Sequence, residues 1–476
     1  MMEDVPVFVV VGNVNQGKSS IVAALAEDPT VPIAAHPGTT QRSGEYIFKS
    51  GDRPLFKLVD TPGFQEARAV LSWMQARSRS AADHRDIVKA FVETEGKADR
   101  FQDELRLLKP ILEGAAVLYV VDASSRFQPS HEAEMEILRW TGQSGMALIN
   151  RTRERDHSEE WRPILEQFFN VVRTFNAHTA GFQDRMNLLK SFRELREDWR
   201  GTMDRAIEIM EREWRSRRER SCRIISELLS QSLSHVEKER IAQEGSTDAA
   251  EERLSVAYRQ SLRDLEAASR SEIEAIYQHR RLARDGEGVP LHQEDLFSER
   301  GTLAFGLKPT QLMKYGAAWG AAVGGTNDLF GGGATFFLGG ALCAGGGGAG
   351  ASFGRGRLAR SSHGKGKLGR LLLPGKSGEF QCLGPVISPR FAWVLCDRAL
   401  VHYRAVRGRS HARQDVFEPA DGSTTSVGVV ATLPGTLRDA LDQVFQAVIK
   451  QALKGEVSRK TTERMTQVLT EVLKEI

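Results

Sequence analysis

The segment GNVNQGKSS, Gly12 to Ser20, limits what this chain can fold into more than any other, because it directly follows the unbroken apolar run Val7 to Val11. It fits GxxxxGK followed by Ser or Thr, and Ile21, Val22 and Leu25 behind it are spaced for a helix. The apolar run reads as a strand buried on both faces. Gly12 and Gly17 let the backbone turn tightly, so that successive N–H groups and the helix N-terminus point at phosphate oxygens. Lys18 then reaches the β- and γ-phosphates, and the Ser19 hydroxyl ligates magnesium. The expected phosphate cradle is therefore Gly12, Asn13, Val14, Asn15, Gln16, Gly17, Lys18, Ser19 and Ser20.

Residues 44–50 and 54–60 are β-rich runs joined by Gly51-Asp52, a hairpin signal. Ala115 to Val121 is a second buried strand, His131 to Trp140 a helix, and 146–150 and 170–175 two further strands. Strands alternating with helices predict an α/β domain over residues 1–199 with a mostly parallel sheet. A charged, helix-prone stretch at about 65–108 reads as an insertion in it.

The second hairpin strand ends in LVDTPG, with Asp60 placed 42 residues after Lys18. A carboxylate there can hold magnesium through water, and the Gly63 N–H can sense a γ-phosphate. Between the two motifs lies HPGTTQ, His36 to Gln41, where a threonine can complete the magnesium shell.

GNVNQGKSS, PGTTQ and DTPG together resemble the TrmE–Era–EngA branch of bacterial-type GTPases, over roughly residues 5 to 195. The resemblance implies GTP and GDP as ligands, magnesium, slow GTP hydrolysis, and Thr40 as the switch ligand of the metal. Lys18, Thr40 and Gly63 are then the residues acting on the γ-phosphate. It also implies an activating potassium held by Asn15, with homodimerisation through the G domain. The residue after DTPG is Phe64, a hydrophobic substitution usual in that branch. Where the base-reading motif should stand the chain has Asn150-Arg151-Thr152-Arg153; Asn150 is retained, the purine-pairing carboxylate is missing, and Asp156 comes three residues late. Gln41 replaces the usual arginine after the threonines. FNAHTAGF at 175–182, the glycine-rich block and FAWVLCDRALVHYRAV resemble an uncharacterised C-terminal domain that some bacterial proteins append to such G domains.

From 164 to 289 there is no proline, and Leu195, Trp199, Met203, Ile207, Met210 and Trp214 recur at helical spacing. Residues 200–300 read as a charged antiparallel helical hairpin, restarting near Thr247. Of the 44 glycines, 15 fall between Gly316 and Gly354, in a stretch whose only charge is Asp328. Gly316, Gly320 and Gly324 form a small-residue stripe that Gly340, Ala344 and Gly348 repeat. The uncharged run 329–354 would be about 39 Å long as a helix, enough for a hydrocarbon core of about 30 Å. Two readings of 301–375 follow: a glycine-rich hairpin contacting or entering a membrane through 309–370 between its basic flanks, or a tightly packed hairpin away from lipid. Residues 376–476 read as an α+β domain, with paired strands at 391–396 and 399–405 and helices at 437–453 and 465–476.

Lys plus Arg total 65 against 62 for Asp plus Glu, a net charge of +3. So small an excess gives no global basic field, and with no RNA-binding motif evident no specific nucleic acid is indicated. The four cysteines show neither CxxC pairs nor metal-ligand spacing, which suits a reducing compartment. With an acidic N-terminus unlike a signal peptide, the expected location is cytoplasmic, peripheral or inserted at the inner membrane if the hairpin enters lipid. The output remains open between a membrane-associated switch, a cytosolic ribosome- or RNA-associated switch, and a nucleotide-binding module without turnover.

Overall fold

A computed structural model of the chain describes residues 5–13, 16–26, 44–50, 53–96, 100–151, 156–240, 247–277, 358–359, 369–372, 379–385, 389–408 and 428–476. Val14, Asn15, the 36–41 loop with Thr40, and the glycine-rich residues 309–357 lie outside this set. The chain divides into two compact units, the first running to Trp214 and the second beginning at Arg215.

The first unit is built on a six-stranded sheet: β1 (Val7–Val11), β2 (Gly44–Ser50), β3 (Arg53–Asp60), β4 (Ala116–Asp122), β5 (Gly145–Asn150) and β6 (Val172–Phe175). Their spatial order is β2-β3-β1-β4-β5-β6. β1 runs parallel to β3 and β4, β4 to β5, and β5 to β6; only the β2–β3 hairpin is antiparallel. This is the α/β architecture expected from the alternation of elements. The side chains of β1 alternate between the two faces. Val9 and Val11 join a core with α2 (Ala67–Gln75), α3 (His84–Glu95), α4 (Gln102–Leu112) and α5 (Pro129–Trp140). Phe8 and Val10 join the opposite core with α1 (Lys18–Ala26), α7 (Phe182–Arg193) and the first turns of α8 (Arg200–Ser234). Phe8 stacks on Phe192 with ring centroids 4.4 Å apart and meets Trp199 edge-on. A short helix α6 (Ser158–Leu165) buries Trp161 beside the end of β4. Helices α2 to α4 occupy the stretch read as an insertion.

The second unit holds the rest of α8, the strand β7 (Glu237–Arg240) and α9 (Thr247–Ile276). His235 meets Tyr258 near one end of the helix pair, and Tyr277 lies beside Ser221 near the other, so α8 and α9 run antiparallel. Strand β7 is an addition to the helical reading of this stretch. It pairs with β10 (Glu379–Leu383), which pairs with β9 (Gly369–Leu372) and that with β8 (Leu358–Ala359), all antiparallel. Two of these strands come from residues read as a basic flank.

One expectation is corrected. Residues 391–396 and 399–405 are not paired strands but part of a single helix, α10 (Pro389–Gly408). Phe391 to Cys396, Leu400 and Tyr403 are all buried, as are Asp397 and Arg398, so the helix is enclosed almost all round and shows no single apolar stripe. Its buried Arg398 makes a two-point ion pair with Glu266 of α9, at 2.8 and 3.3 Å. Helices α11 (Val429–Thr432), α12 (Gly435–Ala452) and α13 (Arg459–Glu475) complete the unit. Asp397 caps α11 by accepting from the Val430 N–H at 2.8 Å, and Trp393 meets Phe445 of α12 edge-on.

Candidate nucleotide site

The central strand β1 delivers the chain to the C-terminal edge of the sheet, where neighbouring connections leave in opposite directions and ligands collect. Gly12 turns there at φ +148°, and a Cβ on it would lie 2.3 Å from the Val120 carbonyl oxygen of β4. Only glycine brings the turn this close to the adjacent strand. Gly17 has φ +82° and opens α1.

Lys18 is buried and folds back over this turn. Its Nζ donates to the carbonyl oxygens of Asn13 at 2.8 Å and Gly12 at 3.2 Å. Burial holds its ammonium below the ordinary lysine range, while the negative charges of Asp60 and Glu134 oppose that shift. An ammonium with little water around it is fixed at the turn, an arrangement suited to phosphate oxygens. Ser19 Oγ donates to Asp60 Oδ2 at 2.7 Å, which brings two hard oxygen donors together at the mouth of the turn. That donor set suits magnesium. Thr40, the expected third ligand, lies outside the described residues, as does Asn15.

The DTPG segment is anchored below. Thr61 Oγ1 donates to the Val10 carbonyl at 2.7 Å, and Asp60 to Phe64 are all buried. Phe64 forms an isolated bridge with Asn13, tying this segment to the glycine turn near Gly63. Phe64 therefore packs in the core and presents no polar atom to a reacting water.

Asn150, at the end of β5, is fully buried. Its Nδ2 donates to the Gln16 carbonyl at 3.3 Å and its Oδ1 accepts from the Ala177 N–H at 3.3 Å. The Asp122 N–H donates to Gln16 Oε1, so the ends of β4, β5 and β6 converge on this turn. Asn176 closes the loop after β6, accepting from the N–H groups of His178 and Thr179. Asp156 accepts from the Ser158 N–H at 2.9 Å and pairs with Arg151, at the start of α6. These contacts engage the Asp156 carboxylate within the loop before α6.

Two buried glutamates on this face were not singled out from the sequence. Glu134 of α5 accepts from the Tyr119 hydroxyl at 2.9 Å, and burial pushes its carboxyl up to about 8. Glu104 of α4 accepts from the N–H groups of Gln65 and Glu66. A glutamate on a charged helix carries no signal of burial, whereas Thr61 stood within the DTPG motif itself. Among the described residues no His, Cys, Asp and Glu cluster suited to a metal occurs, and no helix is long and apolar enough to cross a membrane.

Residues 162–473 match the family model described as a domain of unknown function, DUF3482, and residues 7–143 match that of the 50S ribosome-binding GTPase. Over 63 residues the chain is 48% identical to GTPase Era of Acidimicrobium ferrooxidans, 13% of this chain and 22% of that protein. The chain thus spans about a fifth of that relative's length. Among solved structures, an Era variant of Aquifex aeolicus bound to GDP and AlF4- is similar at 15% identity and a TM-score of 0.28, covering 57% of this chain and 89% of that one. A GTP-binding protein of Sulfolobus solfataricus in complex with GDP gives 18% and 0.23, covering 42% and 53%.

Proposed function

The chain belongs to the DUF3482 family, and we propose that it is a GTP-binding GTPase whose N-terminal P-loop domain works as a slow nucleotide-dependent switch. The observation that carries this is the buried Lys18 ammonium, bonded to two carbonyls of the glycine turn beside the Ser19–Asp60 contact. Lys18 and the N–H groups of the turn bind the β- and γ-phosphates. Ser19 and Asp60 hold magnesium, with Thr40 completing the shell, and the metal neutralises charge developing on the phosphates. Turnover is slow because Phe64 cannot orient water, so charge placed against the γ-phosphate must come from elsewhere.

Guanine is the proposed base. The match of residues 7–143 to the ribosome-binding GTPase family supports it. Asn150 supports it by position, since its bonds to the Gln16 carbonyl and the Ala177 N–H tie the phosphate turn to the ends of β5 and β6. The switch is read out by reordering of the loops around Thr40 and Gly63. Membrane contact through residues 309–370 and a cytosolic ribosomal role are its competing outputs, the second favoured by the matched family's description.

Binding of GTP, GDP and ATP to the purified chain tests the reading, with Lys18→Ala as the control. GTP and GDP should bind more tightly than ATP, and Lys18→Ala should lose all three while its thermal unfolding stays cooperative. Equal affinity for GTP and ATP would remove the guanine assignment, and unimpaired binding by Lys18→Ala would remove the site.

A further inference from the structure

The chain leaving DTPG is held by a residue far along the sequence. Gln65 and Glu66 expose their side chains, yet both backbone N–H groups point inward to Glu104 Oε1, at 2.8 and 2.7 Å. Glu66 is the N-cap residue of α2, so its N–H has no helical partner, and Gln65 directly precedes it. Glu66 makes no side-chain cap of its own, and the backbone entering α2 is held from α4 instead. Glu104 is 1% exposed, which leaves the two amides with little competition from water.

Its own position is enforced from two sides. Phe101, just before α4, is the one non-glycine residue with positive φ among the described residues, at +66°. Such a backbone persists only where surrounding packing demands it. The buried Phe101 ring packs against Phe91 of α3, 5.5 Å between centroids. Arg100 closes a second link, its Nη2 lying 2.5 Å from Glu66 Oε2. Glu104 also sits near Glu134 of α5, whose other neighbours include Tyr119 and Lys18.

We infer that Glu104 is a positioning residue: its carboxylate, carried on the inserted helices, locks the two residues after Phe64 and so sets where Gly63 stands relative to a bound nucleotide. This rests on the GTPase reading for its effect on turnover. The lock itself does not. Any shift of Gly63 toward a γ-phosphate reaches Gln65 and Glu66 within two or three residues, and must either break both bonds or carry α4 along. The insertion therefore participates in the nucleotide response instead of decorating the domain.

The test uses the full chain with Glu104→Ala and Glu104→Gln. Glutamine keeps an acceptor oxygen at the same reach, whereas alanine removes it. Amide hydrogen exchange without nucleotide comes first. Protection over residues 65–70 should fall by about 10-fold or more in Glu104→Ala and be largely retained in Glu104→Gln. With GTP and magnesium, Glu104→Ala should lower kcat by about 10-fold with KM within about twofold, and Glu104→Gln should restore most of it. If Glu104→Ala does not fold, Glu104→Asp withdraws the carboxylate by one methylene and takes its place. Unchanged exchange at 65–70 overturns the inference, and so does altered exchange with unaltered kcat. A wild-type chain that binds no GTP defeats the functional reading instead, and exchange alone then upholds or overturns the lock.

Discussion

Ser19 Oγ and Asp60 Oδ2 meet across 2.7 Å although 41 residues separate them. One hydroxyl at the start of α1 and one carboxylate at the end of β3 thereby define a small oxygen pocket beside Lys18. If that pocket holds magnesium, its two members matter only when the metal is present. Ser19→Ala and Asp60→Asn should each weaken GTP binding by about 10-fold or more in magnesium, about 1.4 kcal/mol, and change it little in EDTA. Titration of labelled GTP under both conditions checks this. Equal losses with and without metal would mean that the pair supports the turn and not the ion.

The turn itself makes a separate prediction. Gly12→Ala forces a Cβ into the Val120 carbonyl, 2.3 Å away, on a backbone at φ +148°. Backbone strain and overpacking each cost about 1–3 kcal/mol, so unfolding stability should fall by about 2–6 kcal/mol. Urea unfolding followed by tryptophan fluorescence measures it. A loss below about 1 kcal/mol would show that β1 and β4 separate easily at this point.

Much of this site was legible because its chemistry demands particular residues at particular spacings. Gly12, Lys18, Ser19 and Asp60 were proposed on that ground, and the structure brings them together around one turn. The sheet was legible because buried parallel strands carry continuous apolar runs, such as Val7–Val11 and residues 116–121. The same cue failed at Phe391–Tyr403. There a helix buried on nearly every side also reads as a continuous apolar run, and only its length of 20 residues argues against strands. Strand β7, Glu-Lys-Glu-Arg, was invisible for the opposite reason. Its four charged side chains carry no strand signature, and its pairing with β10 comes from a segment some 140 residues later. Glu104 was hidden because its partners are backbone N–H groups, which leave no trace in a sequence.

Glu134 predicts a dependence of stability on pH. Burial raises its carboxyl from 4.5 to about 8, opposed by the Tyr119 hydrogen bond and the Lys18 charge and reinforced by Glu104. The folded chain therefore holds this proton more tightly than the unfolded chain does. The contribution is complete below about pH 4.5 and is lost as pH rises through about 8. Glu134→Gln keeps an acceptor for Tyr119 and cannot ionise. Its stability relative to wild type should rise steadily between about pH 5 and about pH 8.5, read from denaturant midpoints across that range. Parallel curves for the two proteins would mean that Glu134 titrates alike in both states.

The last prediction concerns turnover. Phe64 is 3% exposed and its ring carries no polar atom, so it cannot orient water, and its backbone is bridged to Asn13 of the glycine turn. Lys18 and magnesium belong to the binding of any nucleoside triphosphate and do not replace that function. The missing stabilisation has to be positive charge brought to the γ-phosphate, by a monovalent cation or by an arginine from a partner. The resemblance of GNVNQGKSS to potassium-using P-loops favours the cation, with Asn15 as a ligand and pairing of two G domains closing the loop around it. Basal hydrolysis should therefore rise when potassium replaces sodium at constant ionic strength, and rise further with protein concentration. Asn15→Ala should remove most of that increase and leave GTP affinity within about threefold, because an asparagine that ligates the cation would act on the charged transition state and little on ground-state binding. A potassium series at two protein concentrations reads both effects at once. A flat response at both would eliminate the cation and leave a partner's arginine to supply the charge.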